Sequence, residues 1–156
     1  MSGTPSLVNL LRIWIGLIGF VAVGSTIQCF LSPSYATDLI FTVDQNNVTA
    51  LTSRLFGVWT FLAGVLRVMC AVDLHNKSLY HLTLFTFVLV LVYFVSEVFI
   101  YKTARLESAG ILAPLVISSS SILLMLAGYW YVENEDPRAK FGDENESLVF
   151  KRMKNK

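Results

Sequence analysis

A chain of 156 residues is at most one domain, and a composition of 54% hydrophobic with only 15% charged residues excludes an ordinary soluble globule and points to a polytopic membrane protein. The formal net charge of +1, without a basic stripe interleaved with aromatics, gives no basis for nucleic-acid binding. The two cysteines, Cys29 and Cys70, each lie in an apolar run and read as small buried hydrophobes, not as a disulfide or metal pair.

Four apolar runs, Leu7–Leu31, Leu55–Val72, Leu82–Tyr101 and Ala109–Val132, each approach the roughly 20 residues that a helix needs to cross a bilayer. The fold class they predict is an all-α membrane bundle of four transmembrane helices over residues 1–132, followed by a hydrophilic tail, 133–156. The first run is too long for the apolar core of a signal peptide and lacks a small-x-small cleavage site, so it is expected to remain as a span. It carries Arg12, Gly16, Gly19, Val23 and Thr26 at spacings of 4, 3, 4 and 3, a packing seam on one helix face, with Arg12 near enough to the end to snorkel. A polar loop, Ser32–Arg54, follows, with a glycosylation sequon at Asn47-Val48-Thr49.

The second run holds the most informative pattern. Ser53, Gly57, Thr60, Gly64, Arg67 and Ala71 share one face, while Leu55, Val58, Leu62, Leu66 and Met69 point away, towards lipid. Helices in hydrocarbon gain little from hiding apolar surface, so small residues that allow close approach mark helix contacts. In the third run Thr83, Thr86, Val90, Tyr93 and Glu97 form a polar-to-aromatic stripe, and in the fourth Gly110, Pro114, Ser118, Ser121 and Gly128 line one side. Lysine and arginine cluster on the N-terminal side, the Asp73–His81 link and the tail, which predicts that both termini are cytosolic. Arg152 and Lys154, near the C-terminus, resemble a basic endoplasmic-reticulum retrieval signal, the alternative being a tail that contacts anionic lipid.

Charges inside a membrane are costly and need partners. Reflecting the hairpin of the second and third runs about Asn76 sets Arg54 opposite Val98 and Arg67 opposite Phe85, so Arg54 is expected to pair with Glu97. Arg67, about one and a half turns from the end of its run, can snorkel outward, meet Asp73 or Tyr80, or bind a partner's carboxylate. An intramembrane glutamate can also relay protons or stabilise a carbocation, as in membrane isomerases, but no second acid lies at a similar depth. His75 and His81 are too few for a metal site, and Ser118–Ser121 has no histidine base, so no catalytic, cofactor or metal residue is assigned.

The block Arg54-Leu55-Phe56-Gly57-Val58-Trp59-Thr60, then Arg67, then Ala71-Val72-Asp73-Leu74-His75-Asn76-Lys77, resembles the ergosterol biosynthetic protein 28 family. His81-Leu82-Thr83, Ser96-Glu97 with Tyr101, and Gly110-Ile111-Leu112-Ala113-Pro114-Leu115-Val116 extend the resemblance to the fourth run. It implies a multi-pass endoplasmic-reticulum protein without activity or cofactor of its own. Such a protein scaffolds the enzymes of sterol C-4 demethylation: a C-4 methyl oxidase, a 3β-hydroxysteroid dehydrogenase/decarboxylase and a 3-keto reductase. Self-association is a further option, and the alternative function is a sterol-modifying enzyme, such as an isomerase, using Glu97. Candidate packing or partner residues are Arg54, Gly57, Trp59, Thr60, Gly64, Arg67, Glu97 and Pro114.

Overall fold

The computed structural model describes residues 4–32, 34–43 and 48–134. The sequon asparagine, Asn47, and the tail with Arg152 and Lys154 lie outside the described residues. Among the described residues five helices follow one another: α1 (Thr4–Leu31), α2 (Ser34–Leu39), α3 (Ala50–Val72), α4 (Lys77–Phe99) and α5 (Ala109–Asn134). All but α2 are long and apolar enough to cross a membrane. Only 22–33% of each span is buried inside the bundle, so broad apolar faces remain for lipid or other helices. On α3 these include Leu55, Val58, Leu62 and Met69, whereas Leu66 is half-buried.

α3 and α4 begin earlier than their apolar runs because polar residues cap them. Thr49 Oγ1 accepts from the Thr52 amide at 3.3 Å, and Asn76 Oδ1 accepts from the Leu79 amide at 3.2 Å. At its other end α4 stops at Phe99, two residues short of the apolar run. There the Ser96 carbonyl accepts from the amides of both Ile100 and Tyr101, and Lys102 takes a left-handed φ of 56° that turns the chain back. The short α2 lies within the stretch expected to be loop.

α1 packs antiparallel against α3 along the small-residue seams. A Cβ on Gly16 would stand 3.3 Å from Ala71 Cβ, one on Gly64 would stand 3.0 Å from the Gly19 carbonyl oxygen, and one on Gly57 would stand 3.0 Å from Cys29 Cβ. Residue numbers fall along α3 as they rise along α1, as an antiparallel pair requires. Two hydroxyls stitch the seam: Thr26 Oγ1 donates to the Gly57 carbonyl at 3.1 Å and Ser53 Oγ to the Cys29 carbonyl at 3.2 Å. Such interhelical bonds are each worth about 0.6 kcal/mol in a bilayer.

α4 packs chiefly on α5, where the Tyr80 hydroxyl donates to the Met125 carbonyl at 2.6 Å. α1 closes on α5 through Trp14 Nε1, which donates to Ser121 Oγ at 3.1 Å, and through Leu11, which fills the space over Gly128. One core cluster gathers Leu11, Ile15, Leu74, Tyr80, Phe87 and Met125 towards the end where α3 turns into α4. A second gathers Ala36, Ile40, Phe41, Phe94, Ala104 and Ile111 at the opposite end, beneath α2. Cys29 and Cys70 are buried free thiols.

Candidate functional site

Between the two clusters the bundle is hollow. A cavity of about 290 Å³ is walled by all five helices, near the lower end of the roughly 300–1,000 Å³ typical of small-ligand sites. Its inner wall is made by buried residues, among them Ile18, Ala22, Phe87, Phe94 and Ser118. Val21 of α1 and Ala109 and Ala113 of α5 also line it but are exposed, so the cavity opens sideways between α1 and α5. Tyr35, Leu39 and Ile40 close the end next to α2.

Arg67 is the charged residue in this wall, and no carboxylate belongs to it among the described residues. It is only 6% exposed. The guanidinium carbon sits 4.3 Å from the centroid of the Phe87 ring. Phe87 is ten residues into the 23-residue α4, about 15 Å from its start at 1.5 Å per residue, so the charge lies near the middle of the span. Of the fates open to Arg67, snorkelling outward is therefore not the one observed. Helical side chains lean towards the N-terminus of their helix. For Arg67, close to the C-terminal end of α3, that direction leads into the membrane. The same rule carries Arg54, in the first turns of α3, outward, and it is exposed.

The cation–π contact compensates Arg67 only in part. A desolvated contact of this kind contributes about 2 kcal/mol, against about 2.5–3.5 kcal/mol for an arginine at the centre of a membrane helix. Its Nε is buried with no hydrogen-bond partner among the described residues. Besides the Tyr35 phenol, three aliphatic hydroxyls line the cavity, and each of these donates within its own helix: Ser25 to the Val21 carbonyl at 3.1 Å, Thr60 to Phe56 at 2.8 Å and Ser118 to Leu115 at 3.2 Å. Their oxygens offer the cavity acceptors, not donors.

The structure brings Trp59, Thr60, Arg67 and Pro114 together in the cavity wall. Trp59 stacks edge-on against Phe56 and Tyr93, with centroids 5.8 and 5.2 Å away. Pro114 lies inside α5, where it withdraws the amide that would bond the Gly110 carbonyl. Gly57 and Gly64 stand apart from the cavity, in the seam with α1.

Glu97 also lies apart, and its expected pairing with Arg54 is corrected: among the described residues no ion pair joins them. The chain reversal after α4 instead delivers Thr103, whose hydroxyl donates to the Glu97 carboxylate and whose amide donates to the Glu97 carbonyl at 3.1 Å. The Thr103 carbonyl in turn accepts from the Val43 amide at 3.1 Å, tying the α2 segment to the end of α4. Thr103→Val should lower stability by about 1–2 kcal/mol, whereas Arg54→Ala should stay within about 0.5 kcal/mol. Thermal unfolding in detergent reads both, and equal losses would restore the ion pair.

Phe87, Phe94 and the α2 residues belong to the cavity but were absent from the sequence candidates. A period was available: Tyr80, Thr83, Phe87, Val90 and Phe94 recur at 3, 4, 3 and 4 on the inward face of α4. The Tyr93–Glu97 stripe lies beside it.

The fold and the cavity define a four-span α-helical membrane protein that holds a buried cation inside a laterally open apolar chamber. The chain belongs to the family described as Erg28 like protein, whose model matches residues 11–123. It is 46% identical over 127 residues to the human ergosterol biosynthetic protein 28 homolog, covering 81% of this chain and 90% of the relative. The Saccharomyces cerevisiae ergosterol biosynthetic protein 28 is 31% identical over 112 residues, 72% of this chain and 75% of the relative. An Arabidopsis thaliana protein of the same name is 36% identical over 85 residues, 53% of this chain and 62% of the relative. No solved structure matches.

Proposed function

We propose that this protein is a non-catalytic scaffold of the endoplasmic-reticulum membrane that gathers the enzymes of sterol C-4 demethylation. The observation that carries this reading is the match of residues 11–123, which reach from within the first span into the fourth, to a family whose members are named for ergosterol biosynthesis. The partners are the C-4 methyl oxidase, the 3β-hydroxysteroid dehydrogenase/decarboxylase and the 3-keto reductase. Tethering enzymes that act in sequence raises the effective concentration of each for the next without new chemistry. A bundle that buries no more than a third of the residues in each span has ample surface for such contacts. Both termini face the cytosol in this reading.

The isomerase alternative gains nothing from the geometry, because Glu97 is outside the cavity wall and engaged by Thr103. The test is affinity purification of the tagged chain from gently solubilised membranes, with sterol profiling of cells that lack it. The expected result is recovery of the oxidase, the decarboxylase and the reductase, with C-4-methylated sterols accumulating in the deletion. Normal sterols and absence of all three enzymes would overturn the proposal.

A further inference from the structure

We infer that the cavity between α1 and α5 binds a sterol-class lipid bearing one carboxylate, with the carboxylate held by Arg67. The sterol skeleton rests on the function proposed above; the carboxylate rests on the site itself. Arg67 is buried, faces a chamber whose wall has no acid among the described residues, and keeps an unpartnered Nε. A buried charge of this kind is retained where something pairs with it. The planar guanidinium fork matches a carboxylate in two parallel hydrogen bonds.

The rest of the wall states what carries that carboxylate. It is mostly aliphatic and aromatic, and the Ser25, Thr60 and Ser118 hydroxyls offer acceptor oxygens, which suit a hydroxyl on the ligand. The guanidinium lies over Phe87, near mid-span, so the anion must arrive on a body soluble in hydrocarbon. A volume of about 290 Å³ is too small for a phospholipid with its headgroup and two chains, and it takes the fused rings of a sterol with the side chain left in the lateral opening. The lateral opening at Val21, Ala109 and Ala113 gives entry from the bilayer. Removing a methyl group by oxidation and then decarboxylation passes through a carboxylic acid attached to the sterol ring. A scaffold with this cavity would hold that acid between the enzyme that forms it and the one that releases its carbon dioxide.

The experiment uses the purified full chain in lipid nanodiscs and a tritiated 3β-hydroxysteroid-4-carboxylic acid, compared with its methyl ester and with oleic acid. The acid is expected to bind saturably, with the ester weaker by at least about tenfold, since a charge-assisted pair is lost. Arg67→Leu should weaken the acid by a similar factor. Ala113→Phe, which fills the mouth and leaves Arg67 in place, should also abolish high-affinity binding while helical content and elution stay unchanged. Absence of saturable binding, or equal binding of acid and ester, overturns the inference. So does undiminished binding to both variants, and oleate binding as tightly as the steroid acid removes the sterol assignment. Co-purification of the three enzymes is read on the same variants. Steroid-acid binding without enzymes would sink the scaffold and leave the site, and enzymes lost from Arg67→Leu without any acid binding would assign the carboxylate to a partner protein.

Discussion

Gly64→Leu is expected to destroy the folded bundle, shifting the protein from a single detergent-solubilised species to aggregate. At this point α1 and α3 meet backbone to backbone. A Cβ on Gly64 would stand 3.0 Å from the Gly19 carbonyl oxygen and 3.2 Å from Ala22 Cβ and Val23 Cγ2, and a Cβ on Gly19 would meet the Gly64 carbonyl oxygen at the same 3.0 Å. Neither oxygen can rotate away, so added bulk must push the helices apart. Separation costs more than one contact, because the Thr26–Gly57 and Ser53–Cys29 hydrogen bonds lie further along the same seam. Overpacking of this kind costs about 1–3 kcal/mol for a small addition, so Gly64→Ala should lower the melting temperature by roughly 2–12 °C at about 2–4 °C per kcal/mol. Leucine should exceed that range. Gly24 on the same α1 provides the control, since nothing lies within 4 Å of a Cβ built there. Gly24→Ala should be neutral or stabilising, by up to about 1 kcal/mol of helix propensity. If the two alanine variants melt alike, the α1–α3 seam is not the close contact described.

That seam was legible from spacing alone, and the reason is physical. Small residues at alternating intervals of 3 and 4 have little use on a lipid-facing surface, so Gly16, Gly19, Gly57 and Gly64 announce where backbones approach. Which helix meets which was not legible, because α4 and α5 are apolar around most of their circumference and their outward and inward faces differ little in polarity. The seam on α3 finds α1, not α4, so reflecting the α3–α4 hairpin measured depth correctly but not contact. It placed Arg67 beside the level of Phe85, close to its actual neighbour Phe87. It failed for Arg54 and Glu97 because the chain reversal at Lys102 supplies a nearer partner in Thr103, which no helical period reveals. The orientation of Arg67 was derivable in principle. Depth of a Cα is not depth of a charge six bonds away, and the N-terminal lean of helical side chains decides which way the charge goes. The cavity itself is a remainder left by packing two unequal ends, and patterns within single helices do not encode it.

Gly110→Ala should release α2 from the bundle while leaving the spans folded. Gly110 is in the first turn of α5, and a Cβ there would collide with the Leu39 carbonyl, standing 2.7 Å from its carbon and closer still to its oxygen. Leu39 ends α2, and its carbonyl also accepts from Ser108 Oγ at 2.5 Å, so one methyl group disturbs two links between α2 and α5. Both colliding groups are backbone, which leaves displacement of a whole element as the relief. The shorter one moves, since six residues are held by far less buried surface than a 26-residue span. Hydrogen exchange should show it: the Ile40 and Phe41 amides, which donate to the Ala36 carbonyl at 3.1 and 2.9 Å, should lose at least about tenfold protection, while amides of α3 keep theirs. Leu39, Ile40 and Gly110 all line the cavity, so the same variant should weaken steroid-acid binding although no group that touches the carboxylate has changed. Unaltered protection at Ile40 and Phe41 would mean that α2 is not seated on α5 as described. Lost protection with undiminished binding would mean that α2 forms no working part of the chamber, and that α1, α3, α4 and α5 hold the ligand alone.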